Sequence, residues 1–400
     1  MDPATYAKKL TTALGGAGLL FPMAEYDSRL LAVRKAMAVE ELDLLLVSHH
    51  CDLNWLTGYD TFGVGNHAVL ALPREGAPFL HATTMEIPAA VMNTWVEDVL
   101  LGSWVHPGGM GAELADILKH RGLDRGFIGL QPRRAGLRAD SHRALLTGLA
   151  GANIRDVSDL IGRLRIIKSP AELDCLRRAS ALTVAGIAAS IGAIRPGITD
   201  NDIVRAGFDA MLAEGSDFLA IQPIATTGVR TGGGHQTHRR VPLEDGDLVF
   251  LEYGGNFKRY TAPMMRMACL GAPPAGADKT IEACLVTLQA VLDGVRPGRT
   301  CHDVALEARA AHRAVDGEAY ITGVYGYHVG VGYPPTWADS IGFIAEGVEE
   351  PFRPGMTFHL PLAFRLPGRF GIGISETILV TEDGCEALSD YPRELRRIAG

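Results

Sequence analysis

RIIKSPAELDCLRRASALTVAGIAASIGAI, residues 165–194, carries a full set of helix signals at the point where the chain changes character. Ser169 has a side-chain oxygen suited to an N-cap. Pro170 stands at the first helical position, where its missing N–H costs nothing, and Glu172 falls in the first turn. Apolar residues then recur at helical spacing until Arg195-Pro196-Gly197 stops the run. A second helix is expected over 199–214, with Asp200 or Asn201 as its cap. Four hundred residues exceed what one ordinary core organises, so a division here gives two domains, 1–164 and 165–400.

Upstream, short apolar runs alternate with helical patterns. LDLLLVS (42–48), HAVLALP (67–73) and FIGL (127–130) read as strands, and 84–93, 110–121 and 139–149 as helices. That alternation predicts an α/β layered domain. Beyond residue 222 glycine becomes dense and strands dominate: DLVFLEYGG (247–255), RYTAPMMRMACLG (259–271), MTFHLPLAF (356–364) and GIGISETILVT (371–381). Helices are expected at 275–293 and 301–315, which makes the second domain α+β. No repeat of roughly twenty to fifty residues is present.

Bulk properties exclude several partners. A net charge of −8 with scattered Lys and Arg argues against nucleic acid, which needs clustered cations. No apolar run reaches the eighteen or so residues of a membrane span. MDPATYAKKL lacks the apolar core of an export signal, and the six cysteines are dispersed without a CxxC. A cytoplasmic protein with reduced thiols and a small-molecule partner is the expectation.

RxxKSPxELxxLRxA at 165–179 resembles the helix that opens the catalytic domain of the creatinase, prolidase and aminopeptidase P superfamily. GDLVFLEYGG followed by RYTAPMMRMACLG is similar to its metal-carboxylate hairpin. YGYHVGVG (325–332) resembles its metal-histidine segment, and PGMTFHLPL (354–362) with GIGISETILVT its closing strands. The match runs in order over about 165–395, while 1–164 is similar only through LDLLLV and NWLTGY. It implies a creatinase-like α/β domain followed by a pita-bread catalytic domain. It also implies a homodimer in which the first domain caps the neighbour's pit, with Phe62-Gly63-Val64 at the reach of that cap.

The same resemblance assigns positions. His235, eleven residues before Gly246, stands at the substrate-site histidine. The superfamily's two metal aspartates fall on Glu252 and Pro263, its histidine on His328, and its two glutamates on Pro361 and Ser375, the last beside Glu376. Two divalent cations about 3.5 Å apart need several anionic oxygens. One carboxylate and one imidazole do not meet that need, so no metal and no other cofactor is expected. Creatinase is a metal-free member that hydrolyses a C–N bond. The wording here is more similar to the ectoine hydrolases, through KRYxxPMxR, GYPP, PGMTFH and IxETILVT. Those enzymes tend not to have histidine where His328 stands, and Val64 replaces the arginine that follows Phe-Gly in creatinase.

The residues themselves add to this. A glutamate inside LVFLEYGG is costly to bury unless paired or functional, so Glu252 is the expected catalytic carboxylate; the structural alternative is an ion pair with Arg259 or Arg266. His235 follows a glycine run and suits proton donation to a leaving nitrogen. Glu252 then acts as nucleophile or as base toward water, with His328 and Glu376 holding charge and orientation. Glu376 faces either inward through a bulge or outward. His359 either binds substrate or is a core histidine. Tyr260 and Trp337 are candidate aromatic walls for a cationic substrate. Arg266, Arg365 or Arg369 is the expected partner of a substrate carboxylate, and His67, with Phe62, is a candidate contact to the neighbouring pit. The expected activity is metal-independent hydrolysis of a C–N bond in a small amidine or amide. A metal-dependent Xaa-Pro dipeptidase and a non-catalytic binding protein are the alternatives.

Overall fold

The computed structural model describes residues 1–134, 136–339 and 341–400. They form two compact units, Met1–Arg165 and Ile166–Gly400. The first is built on a six-stranded mixed sheet: β1 (Leu44–Val47), β2 (Ala68–Pro73), β3 (Phe79–Thr83), β4 (Asp98–Gly102), β5 (Phe127–Leu130) and β6 (Asn153–Asp156), in the order β4-β3-β2-β1-β5-β6. The apolar run LLLV makes β1 central, antiparallel to β2 and parallel to β5. Leu44 and Leu46 pack against Leu114 and Leu118 of helix Met110–His120 and Leu145 of helix Ala139–Gly148. Strand β6, NIRD, had no apolar signal because it is a mostly exposed edge. The expected 84–93 helix is split into a short 3-10 turn, Thr84–Glu86, and Ile87–Met92, with Pro88 starting the second piece.

In the second unit Ser169 caps helix Pro170–Ala193 through a capping box with Glu172. Thr199, not Asp200 or Asn201, caps helix Asp200–Ala213, because Asp200 instead accepts from Arg230 and from the amides of Arg239 and Val241. Strands β7 (Ile224–Thr227), β8 (Leu248–Phe257) and β9 (Tyr260–Leu270) form one sheet, closed by the C-terminal strand β17 (Leu395–Ile398) in the order β17-β9-β8-β7. The β8–β9 turn passes through Lys258 and Arg259, both at positive φ (52° and 68°), the geometry of a tight hairpin. A second sheet holds β10 (Val324–His328), β11 (Phe343–Ala345), β12 (Thr357–Leu360), β15 (Glu376–Val380) and β16 (Cys385–Ala387); β13 (Ala363–Leu366) and β14 (Phe370–Gly373) pair as a hairpin.

The two long closing strands expected at 356–364 and 371–381 are each broken. Pro361 has no N–H for a ladder and ends β12, and the chain restarts as β13 at Ala363. Opposite it, Ile374 and Ser375 separate β14 from β15. The breaks meet, since the Ile374 amide donates to the Leu362 carbonyl. At this junction Ser375 leaves the ladder and turns toward β9.

Candidate active site

Glu252 lies in mid-β8, opposite Met265 of β9. Strand alternation puts Val249, Leu251 and Tyr253 into the core beneath helices Pro170–Ala193 and Asp200–Ala213. Glu252 therefore projects to the other face with Phe250. It is 6% exposed, and among the described residues no hydrogen-bond donor or ion-pair partner reaches it. Burial pushes its pKa up to about 7, while the charge of Arg365 pulls it down in part. The structural alternatives for Glu252 are occupied elsewhere: Arg259 lies over the Phe218 ring, and Arg266 pairs with Glu376.

Around this carboxylate runs a set of hydrogen-bonded side chains. Tyr327 of β10 and His359 of β12 are cross-strand neighbours, with Tyr327 Oη 2.8 Å from His359 Nδ1. Trp337 Nε1 donates to Tyr327 Oη at 2.8 Å. On the other side, His359 Nε2 is 2.7 Å from Ser375 Oγ, which accepts from the Met265 amide at 2.7 Å. His359 is fully buried, and burial pushes its pKa down to about 3. Burial first, then the charge of Glu252, raises the phenol of Tyr327 well above its ordinary value. Trp337 closes over the strand at Gly254, where an added Cβ would meet the indole at 2.9 Å, so only glycine fits beneath it.

Arg365, on β13, faces the same region. Its Nη1 donates to the carbonyls of Thr231 and Gly233, which ties down the glycine loop carrying His235. Its Nε and Nη2 have no hydrogen-bond partner among the described residues. His235 is exposed at φ 50°, and Gly232–Gly234 precede it.

The structure thus gathers Glu252, His359, Trp337 and Arg365, adds Tyr327, which sequence reasoning did not place in the site, and gives Ser375, assigned from sequence only to a metal-glutamate position, a hydrogen bond to His359. Other expected residues go elsewhere. His328 is one residue along β10 from Tyr327 and takes the opposite face, stacked on Phe358 at 4.1 Å with Nδ1 3.1 Å from the Thr357 carbonyl. Glu376 does not turn inward: it is fully buried, 2.6 Å from Arg266 and 2.9 Å from Arg393, with Ser389 donating to its other oxygen. Arg266 uses all its N–H groups on Glu376 and on the carbonyls of Met265, Ser375, Tyr391 and Pro392, so none remains for a substrate. Tyr260 donates to Glu172 at 2.8 Å and is buried at a helix N-terminus rather than walling the site. Arg369 is committed to the Ala275 carbonyl on the surface. In the first unit His67 is buried, with Nε2 3.0 Å from His81 Nδ1, so it is a core histidine. Phe62, by contrast, is 88% exposed.

A model of the creatinase/prolidase N-terminal domain matches residues 29–167, and one of metallopeptidase family M24 matches 174–382. Ectoine hydrolase of Halomonas elongata is 31% identical over 94% of this chain and 98% of its own length. The chain belongs to the creatinase/prolidase superfamily. It is a hydrolase of the C–N-bond-cleaving kind found in that family. Among solved structures, dipeptidase PepE of Mycobacterium ulcerans superposes with a TM-score of 0.78 at 26% identity, covering 95% of this chain and all of its own. Prolidase from Thermococcus sibiricus reaches a TM-score of 0.82 at 19% identity over 93% and 99% of the two chains, a likeness of fold alone.

A metallopeptidase family implies metal, and the residues here do not fit a two-metal centre. Of the corresponding positions, only Glu252 offers a carboxylate to the site. Pro263 and Pro361 offer no side-chain donor, Ser375 Oγ is engaged by Met265 and His359, and His328 points away. Among the described residues no three His, Cys, Asp or Glu side chains converge as a ligand set. No helix among them is long and apolar enough to cross a membrane.

Proposed function

We propose that this chain is a metal-independent hydrolase of a C–N bond in a small amidine or amide that carries its own carboxylate, as ectoine does. The supporting observation is Glu252: a buried carboxylate without a bonded partner, held near neutral titration and facing an arginine with donors to spare. A cationic amidine offsets the charge of Glu252 and presents its electrophilic carbon to it. The carboxylate of the same substrate takes the open Nε and Nη2 of Arg365, an orientation a bidentate arginine pair suits. Glu252 adds to the amidine carbon or takes a proton from the water that does. One water is consumed, one C–N bond breaks, and the nitrogen leaves with a proton from His235, giving an amide and an amine.

The test pairs substrate with metal. Turnover of a carboxylated cyclic amidine should survive EDTA, and elemental analysis should find no stoichiometric zinc, manganese or cobalt. Arg365→Met should raise KM for that substrate by about ten- to a hundredfold, the loss of a charged hydrogen-bonded pair. Hydrolysis of Xaa-Pro dipeptides that is lost on chelation and restored by metal would overturn the reading. Affinity for such amidines without turnover would instead make the chain a binding protein.

Assembly is part of the proposal. A large apolar side chain as exposed as Phe62 is suited to a contact, and a homodimer would cover it. Light scattering that gives a fully active 42.8 kDa monomer would count against it.

A further inference from the structure

His235 stands in the left-handed region at φ 50°, a conformation that a residue with a Cβ keeps only when its surroundings fix it. Its immediate neighbours do not fix it. Among the described residues, Gly234, His235 and Gln236 make no hydrogen bond outside their loop, and within it Gln236 Nε2 reaches the Gly234 carbonyl only at 3.4 Å.

The constraint lies at the two feet of the loop. Asp200, 1% exposed, accepts three hydrogen bonds: Oδ2 takes Arg230 Nη1 at 2.9 Å and the Arg239 amide at 2.8 Å, and Oδ1 takes the Val241 amide at 2.9 Å. The same guanidinium reaches across the loop, with Nη2 donating to the Thr237 carbonyl. One ion pair with a buried carboxylate thus joins the residue that enters the loop to three that leave it. Thr237 is anchored again, its Oγ1 donating to the Pro223 carbonyl at 3.0 Å. The ascending limb is held separately. Arg365 Nη1 bonds the Thr231 and Gly233 carbonyls, and a Cβ at Gly234 would stand 3.5 Å from Arg365 Nε. His235 is the next residue.

Ordering an exposed backbone costs entropy at every residue, and the apex offsets little of that with bonds of its own. The clamp at the base therefore carries the order of the apex. A surface loop with no task gains nothing from such a clamp. A proton donor does, because transfer needs its imidazole within hydrogen-bond reach of the leaving nitrogen, in the right direction.

We propose that Asp200 is the positioning residue of the proton donor: through Arg230 and the amides of Arg239 and Val241 it closes the loop that presents His235 and sets the direction of its imidazole. This rests on the reading of His235 as the donor to the leaving nitrogen. Asp200 is occupied by its three bonds and acts only through the loop.

The first measurement needs no substrate. Backbone 15N relaxation on histidine-labelled protein, with the His235 signal assigned by its loss in His235→Gln, should give an order parameter of about 0.85 in the native chain and below about 0.6 in Asp200→Asn. The second is a kinetic cycle on the cyclic amidine. Asp200→Asn should lower kcat by about thirtyfold with KM within about twofold of native, because the donor acts in the chemical step. His235→Gln should lose about a hundredfold or more, and adding Asp200→Asn to it should cost nothing further. A purely structural Asp200 would lower kcat equally in both backgrounds, and that additivity would overturn the proposal. Arg230→Lys keeps the charge but cannot bond Asp200 and Thr237 together, so it should fall between native and Asp200→Asn. It decides the matter if Asp200→Asn does not fold. An unchanged His235 order parameter in the folded variants would also overturn the proposal. A native protein that turns over no amidine would strike the reading of His235 as donor, while the relaxation result would still decide whether Asp200 holds the loop.

Discussion

Glu252→Gln should lower kcat/KM on the cyclic amidine by at least about a thousandfold and, at pH 8, make the protein more stable. The activity loss follows because the amide keeps the shape of the side chain but neither accepts a proton nor attacks carbon. A positioned base or nucleophile is worth about 10²–10⁴. The stability gain has the opposite origin. The pKa of Glu252 is raised from 4.5 to about 7 by burial, so between those values the folded chain holds a proton that the unfolded chain has released. Stability from this group is complete below pH 4.5 and is lost as pH rises through about 7. The whole difference is roughly 3 kcal/mol at 1.36 kcal/mol per unit. The glutamine variant has no such loss, so its advantage in urea denaturation should grow from pH 5 to pH 8. Near-normal turnover in Glu252→Gln would show that the reacting group is another residue. An equal loss of activity and stability at pH 8 would show a structural role.

Glu376→Ala should have its large effect on stability. Arg266 and Glu376 are both 1% exposed and 2.6 Å apart, and Arg266 also secures the carbonyls of Tyr391 and Pro392 near the C-terminus. Removing the carboxylate leaves a guanidinium charge buried without its counter-ion, which costs about 3–5 kcal/mol. The double variant Arg266→Met with Glu376→Met leaves no orphan charge and should recover much of that loss, since apolar replacements of buried pairs are often near neutral. Denaturant midpoints of the two variants, measured at one pH, separate these outcomes. A Glu376→Ala protein with native stability and no turnover would return Glu376 to the catalytic set.

Several features needed only the sequence. Ser169, Pro170 and Glu172 specify a helix start through contacts within four residues, and the structure forms that capping box. The apolar run around Glu252 marks a buried strand, and its alternation predicts that Glu252 shares a face with Phe250. The ordered motifs over 165–395 suffice for the superfamily, and the resemblance puts Pro263 and Pro361 at two positions it assigns to metal carboxylates.

What only the tertiary structure decided is which way side chains point. His328 and Tyr327 are adjacent on one strand, so only one of them can join His359 and Trp337. The pairing of Tyr327 with His359 selects Tyr327, after a register irregularity between Val324 and Gly326. Glu376 and Ser375 pose the same choice, settled where the chain leaves one strand pair at Ile374 and starts another. Among Arg266, Arg365 and Arg369, composition offers no distinction; the difference is that the donors of Arg266 are spent on carbonyls more than a hundred residues away. Side-chain direction in a strand has a period of two, so a one-residue shift in pairing exchanges the faces. That parity is set by partners distant in the chain and by bulges between them, which local residue patterns do not encode.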